Sequence, residues 1–205
     1  MKLTKFTLFI TIITLSVYGC KSLRTVERPE SASFPADKID EYAIKEISES
    51  AASVIDRIKT DEERTSSIMK SVETEVKNKI AHSITNSFNN AVIIEINNNM
   101  LFNPDQYNIA SHAESDLNNL ISILNRHSNT NVEVHGHSDN SREASYNQIM
   151  TERKANSVSA FLIENGITSN RVKTRGMGEN YPRYINDNEK GKTLNNRIEI
   201  IVTPQ

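Results

Sequence analysis

Two hydrophobic rhythms meet near residue 90, and they constrain the fold more than any other feature. Ile44, Ile47, Ala51, Val54 and Ile58 return at spacings of three and four, while Ile68, Val72, Val76, Ile80, Ile84 and Phe88 return every fourth residue. Spacings of this kind line one side of an α-helix. They predict a helical region over residues 37–90, made of two amphipathic stretches broken or bent near "TDEERTSS". Each stripe must be covered by something: the other stretch, the following domain, a protein partner, or a second copy in a homo-oligomer. The heptads are too few to choose among these.

Past Ala91 the rhythm shortens. "VIIEI", "NVEVHGH", "RVKTRG" and "NRIEIIV" read as strands. Between the first two, Ala113, Leu117, Leu120 and Leu124 line a helix face, and Ser111 with Glu114 reads as its capping box. A second helix, Tyr146 to Asn165, ends at Gly166, the residue type that most easily takes a left-handed C-terminal position. "NDNEKGKTLN" is a loop passing into a helical turn. The order strand, helix, strand, helix, strand, short helix, strand predicts an α/β fold over residues 91–205. We expect a two-layer sandwich: a mixed four-stranded sheet with helices on one face.

The N-terminus departs from this composition. Lys2 and Lys5 precede "FTLFITIITLSVYG", an apolar run of export-signal length that stops at the only cysteine, Cys20. The run falls short of the roughly 20 apolar residues of a stable spanning helix. Val17, Tyr18, Gly19 and Cys20 resemble the lipobox of bacterial lipoproteins. That resemblance implies cleavage after residue 19 and a lipid anchor on Cys20, with the chain facing the periplasm. Lys21 at the next position implies sorting to the outer membrane. Residues 20–36, polar and holding Pro29 and Pro35, read as a flexible tether. The formal charge of −2 and the lack of a Lys/Arg stripe argue against a nucleic-acid partner.

The segment "HGHSDN" asks a chemical question. On a strand, His135, His137 and Asp139 share one face, as metal ligands might. A metal centre needs three or four converging ligands with an orienting shell. The sequence offers neither a His-Glu-x-x-His helix nor a cysteine pair, and His82, His112 and His127 have no metal spacing. No metal and no cofactor are therefore expected. Ser138 follows His137, but strand neighbours face opposite ways, so no serine–histidine nucleophile is expected and the chain reads as a non-enzyme.

Five ordered segments carry a family resemblance: "LFNPDQYNI", "VHGHSDN", "YNQIMTERKANSVSAFLIENGI", "RGMGE" and "NDNEKGKTLNNRIEI". Over about Val92 to Val202 the chain is similar to the OmpA-like peptidoglycan-binding domain. The resemblance implies a ligand, the diaminopimelate side chain of the peptidoglycan stem, whose end carries an ammonium and a carboxylate on one carbon. It implies Asp139 as the acceptor of the ammonium and Lys154, where the family has arginine, as the cation. Ser138, Asn103, Asp105 and Arg197 complete the implied binding set. Asn196, Lys192 and Arg142 are departures from the family pattern, and His137 is expected to orient the aspartate loop while His135 has no special role.

A lysine keeps the charge but not the planar fork that grips a carboxylate with two hydrogen bonds. The plainer alternatives are an Asx-turn role for Asp139, a turn role for Asp105 and a solvated helix position for Lys154. The expected function is that of a lipid-anchored protein tethering the outer membrane to the wall. The alternative is an OmpA-fold scaffold that has lost wall binding and recruits a partner through its helical region.

Overall fold

The computed structural model describes residues 36–205, with side chains from Ile44 onward. Contacts divide the chain into two units, residues 1–50 and 51–205. The first is described only in the opening turns of a long helix, and the second holds the whole sheet. The expectations for the signal, Cys20 and the tether fall on residues 1–35, outside the described residues.

Helix α1 (Ala36–Lys79) leads into strands β1 (Ser83–Phe88) and β2 (Ala91–Asn97). A short helical turn, α2 (Asn98–Leu101), and a 3-10 turn (Ser111–Ala113) precede α3 (Glu114–Arg126) and β3 (Thr130–His137). Helix α4 (Ala144–Glu164), strand β4 (Val172–Gly178), helix α5 (Glu189–Asn195) and strand β5 (Arg197–Pro204) follow. The sheet order is β1-β2-β5-β3-β4, with β3 and β4 parallel and every other pair antiparallel. Alternation along the strands sends Val92, Ile94, Ile96, Val132, Val134, Ile198, Ile200 and Val202 to one face. There they are buried in a single cluster with Leu117, Leu120 and Leu124 of α3 and with Ala155, Val158 and Leu162 of α4. Each such side chain contributes about 1.5–3 kcal/mol by leaving water.

Helix α4 lies close against β3 and β4 because two glycines leave room. A Cβ on Gly136 would collide with the Thr151 carbonyl, and one on Gly176 would come within 2.7 Å of the Glu152 backbone nitrogen. At the far end of α4, Gly166 takes φ +105° and donates its N–H to the Ile163 carbonyl at 3.1 Å, closing the helix as its type suggests. Arg171, buried just before β4, donates to the carbonyls of Leu124, His127 and Thr130, so the end of α3 and the start of β3 share one cation.

Three local expectations are corrected. Helix α1 runs through "TDEERTSS" without a break; that stretch contains neither glycine nor proline, so nothing in it interrupts the hydrogen-bond ladder. The fourfold spacing of Ile80, Ile84 and Phe88 does not continue the helix. Residues 83–88 form β1, paired with β2 in register Ile84↔Glu95 and Phe88↔Ala91. A spacing of four is also two strand periods, so both structures satisfy it. Asn89 and Asn90, at φ 47° and 58°, supply the tight turn that selects the hairpin. The sheet accordingly has five strands where four were expected. The Ser111–Glu114 capping box does not form, because Ser111 opens the 3-10 turn and α3 starts at Glu114 with Ala113 as an uncapped N-cap.

The two stripes of α1 part company. Met69, Val72, Val76 and Ile80 join the core, while Ile44, Ile47, Val54, Ile55 and Ile58 are exposed. Among the described residues no helix is long and apolar enough to cross a membrane.

Candidate functional site

Beyond the end of β3, the turn into α4, the loop after α2 and the C-terminal end of α5 enclose a cavity of about 500 Å³. Asn103, Asp105, Ser138, Asp139 and Lys154 all line it, brought together from stretches far apart in sequence. Arg197 does not. It is buried on β5, where it donates to Glu199 and to the carbonyls of Asn195 and Tyr181, and it holds the sheet's own acids in place.

Asp139 is held before any ligand arrives. Its Oδ1 accepts the Ser141 N–H at 2.8 Å, the Asx turn considered from sequence. Its Oδ2 accepts the Asn196 amide at 2.6 Å, and its own N–H reaches Asn196 Oδ1 at 3.3 Å. A carboxylate offers about four lone-pair directions, so two donors leave acceptor capacity facing the cavity. Turn former and acceptor are compatible roles. Ser138 Oγ, buried beside it, makes no hydrogen bond among the described residues.

Lys154 rises from α4 as a half-buried ammonium 5.4 Å from the centroid of the Phe102 ring, a cation–π contact. Burial lowers its pKa from the ordinary lysine value; Asp105 and, more weakly, Asp139 oppose that shift, and Arg142 reinforces it. The side chain is thus a partly desolvated cation without a close carboxylate partner among the described residues, suited to an incoming anion. Arg153, next in sequence, turns elsewhere and sits over Tyr107. Asp105, at φ 55° and 72% exposed on its side chain, accepts Arg142 Nη2 at 2.8 Å at the mouth of the cavity.

Three lining residues were not among the sequence candidates. Asn196 grips Asp139, Arg142 brings a guanidinium to the rim where the family has a turn glycine, and Asn147 Nδ2 donates to the carbonyls of Asp139 and Arg142 and to Glu179. The first two were visible only as departures from a motif; their departure was itself the available signal. Lys192, the other departure, pairs with Glu189 on α5. The expected part for His137 is corrected: its ring turns to Glu199, 3.4 Å away, and makes no hydrogen bond to the aspartate loop. Asn196, the Ser141 N–H and Asn147 orient that loop instead.

The model of the OmpA family matches residues 101–196, which contain every lining residue named above but lack β2 and β5. Outer membrane porin F of Pseudomonas fluorescens is 30% identical over 115 residues, covering 56% of this chain and 35% of that protein. The peptidoglycan-associated lipoprotein of Buchnera aphidicola subsp. Baizongia pistaciae is 27% identical over 104 residues, covering 51% of this chain and 60% of that protein. The matches thus span less than two thirds of either relative. In fold, the chain is similar to a putative MotB-like protein from Desulfovibrio vulgaris, with a TM-score of 0.64 at 16% identity over 70% of this chain and 95% of the other. Residues 101–196 of this chain match the OmpA family.

Proposed function

We propose that the chain is a lipid-anchored wall-binding protein that tethers the outer membrane to peptidoglycan by holding the diaminopimelate end of a stem peptide in the cavity at Asp139. The observation that carries this reading is the pairing of a pre-held carboxylate, Asp139, with a partly desolvated ammonium, Lys154, across one cavity. A zwitterionic carbon needs an acceptor for its ammonium and a cation for its carboxylate, and these two side chains supply them. The Arg142 guanidinium adds donors around the same space. The family match of residues 101–196 and the name of the peptidoglycan-associated relative support the same ligand class. No covalent step is involved, and the role is binding without catalysis.

Exposed ion pairs contribute only about 0.2–1 kcal/mol each. One domain then holds one stem weakly, and retention depends on many stems and on an anchor at Cys20 that confines the search. The test is sedimentation with insoluble peptidoglycan. Wild type should pellet, Asp139→Ala should stay in the supernatant while remaining folded, and Cys20→Ala should leave the membrane fraction. A folded Asp139→Ala that pellets like wild type overturns the wall reading. In that event the exposed stripe of Ile44, Ile47, Val54, Ile55 and Ile58 favours the scaffold alternative, in which α1 recruits a protein partner.

A further inference from the structure

The sheet face opposite the helices carries a second cluster, which meets the wall of the cavity at His137. His135 and His137 project from β3, and Glu199, paired in register with His135, projects from β5. One ligand atom from each lies within 4.8 Å of the other two. We infer that His135, His137 and Glu199 form a binding site for a divalent transition-metal cation of zinc type.

The strongest observation is His137. Its side chain is 4% exposed, and neither ring nitrogen makes a hydrogen bond among the described residues. A buried polar group without a hydrogen bond is costly, and an ordered water or a bound ion is what explains such a group. Its Nε2 stands 3.4 Å from Glu199 Oε2. Zinc bonds of about 2.0–2.1 Å in tetrahedral array place neighbouring ligand atoms about 3.3–3.4 Å apart, so this pair is already at coordination spacing. His135 must close by about 1.4 Å at most to complete the triangle, a movement within side-chain reach.

The surroundings fit a cation. Arg197 occupies only Oε1 of Glu199, at 2.9 Å from Nε and 2.7 Å from Nη2, and so fixes the carboxylate while leaving Oε2 toward the histidines. Glu95, beyond it, pairs with Arg183 and Arg197, and Glu133 pairs through Oε1 with Lys173 at 3.8 Å, which leaves the added positive charge of a metal to be met chiefly by Glu199. Glu133 Oε2 lies 3.3 Å from His135 Nε2 and brings a further carboxylate to the rim. Side-chain exposures of 13% for His135 and 15% for Glu199 give an entry path from solvent. Two imidazoles with one carboxylate suit zinc, nickel or copper; magnesium and calcium, which take oxygen ligands, are poorly matched.

The full-length chain, purified in detergent and stripped with a chelator, should retain one zinc per chain after equilibrium dialysis against zinc chloride. Its thermal midpoint should rise with zinc and not with magnesium chloride. His135→Ala removes a partly exposed ligand without touching the buried ring; it should fold normally, bind zinc at least tenfold more weakly and lose the thermal shift. His82→Ala, at an unrelated position, should bind as wild type. Absence of retained zinc, unchanged affinity in folded His135→Ala, or loss of binding in His82→Ala overturns the site.

Discussion

Asn196 holds Asp139 from both sides: its amide nitrogen donates to Oδ2 at 2.6 Å, and its amide oxygen accepts the Asp139 N–H at 3.3 Å. The residue at which the chain departs from the arginine of the family pattern therefore sets, with the Ser141 N–H, the direction of the Asp139 carboxylate. Asn196→Ala should weaken peptidoglycan retention about 10-fold or more, since a hydrogen bond to a charged group contributes about 1.5–3 kcal/mol. Asn196→Asp should weaken it further by placing two carboxylates together. The Asn196 carbonyl still accepts the Asn98 N–H in both variants, so the thermal midpoint should move little. A sedimentation titration read beside a melting curve separates the two effects, and retention equal to wild type in folded Asn196→Asp contradicts the assignment.

If the proposed function holds, Lys154 should make wall retention depend on pH in a definite direction. Burial, offset in part by Asp105 and Asp139, lowers its pKa, so it gives up its proton at a pH where an ordinary lysine, near 10.4, is still charged. Loss of that charge removes the partner of the ligand carboxylate. Lys154→Arg should bind at least as well at neutral pH, and retention of the wild type should begin to fall at a lower pH than that of the arginine variant, which falls only as the ligand's own ammonium loses its proton. Parallel curves for the two proteins exclude Lys154 from the binding step.

Gly136 is required by the approach of α4 to β3. Gly136→Ala drives a methyl into the Thr151 carbonyl, which belongs to backbone and cannot swing aside. Overpacking of this kind costs about 1–3 kcal/mol or more. The urea midpoint should drop accordingly, and a midpoint unchanged within error contradicts the close packing described here.

Glu75 fastens α1 to the end of α3. His127 Nε2 lies 2.9 Å from its Oε1, and Arg126 donates to its Oε2. The contact to His127 first, and Arg126 second, holds the Glu75 pKa below its ordinary value. A carboxylate with a depressed folded pKa adds stability that is present above its unfolded value, near 4.3, and is lost as pH falls through the folded one. Glu75→Gln should therefore lower stability by about 0.2–1 kcal/mol at pH 7. The difference from wild type should shrink toward pH 3 in denaturant melts. A gap that widens in acid reverses the sign and rejects the linkage.

Local patterning alone determined the strands β2 to β5, the helices α3 and α4, and the Gly166 cap, because each is encoded by side-chain period and turn chemistry within a short window. The same patterning was ambiguous at Ile84 and Phe88, where a spacing of four satisfies both helix and strand; pairing with β2 across the Asn89–Asn90 turn decided it. Family resemblance, not patterning, singled out Asn103, Asp105, Ser138, Asp139 and Lys154, and the fold brings these five around one cavity. What the tertiary structure alone decided was which side chains meet. Asn196 reaches Asp139 across 57 positions of sequence because the end of β3 lies against the start of β5, and that register turns Arg197 into the sheet's buried charge network and away from the cavity. The same register sets Glu199 beside His135 and His137, a convergence that no spacing within "HGHSDN" contains, since a third ligand arrives only when a distant strand is hydrogen-bonded alongside.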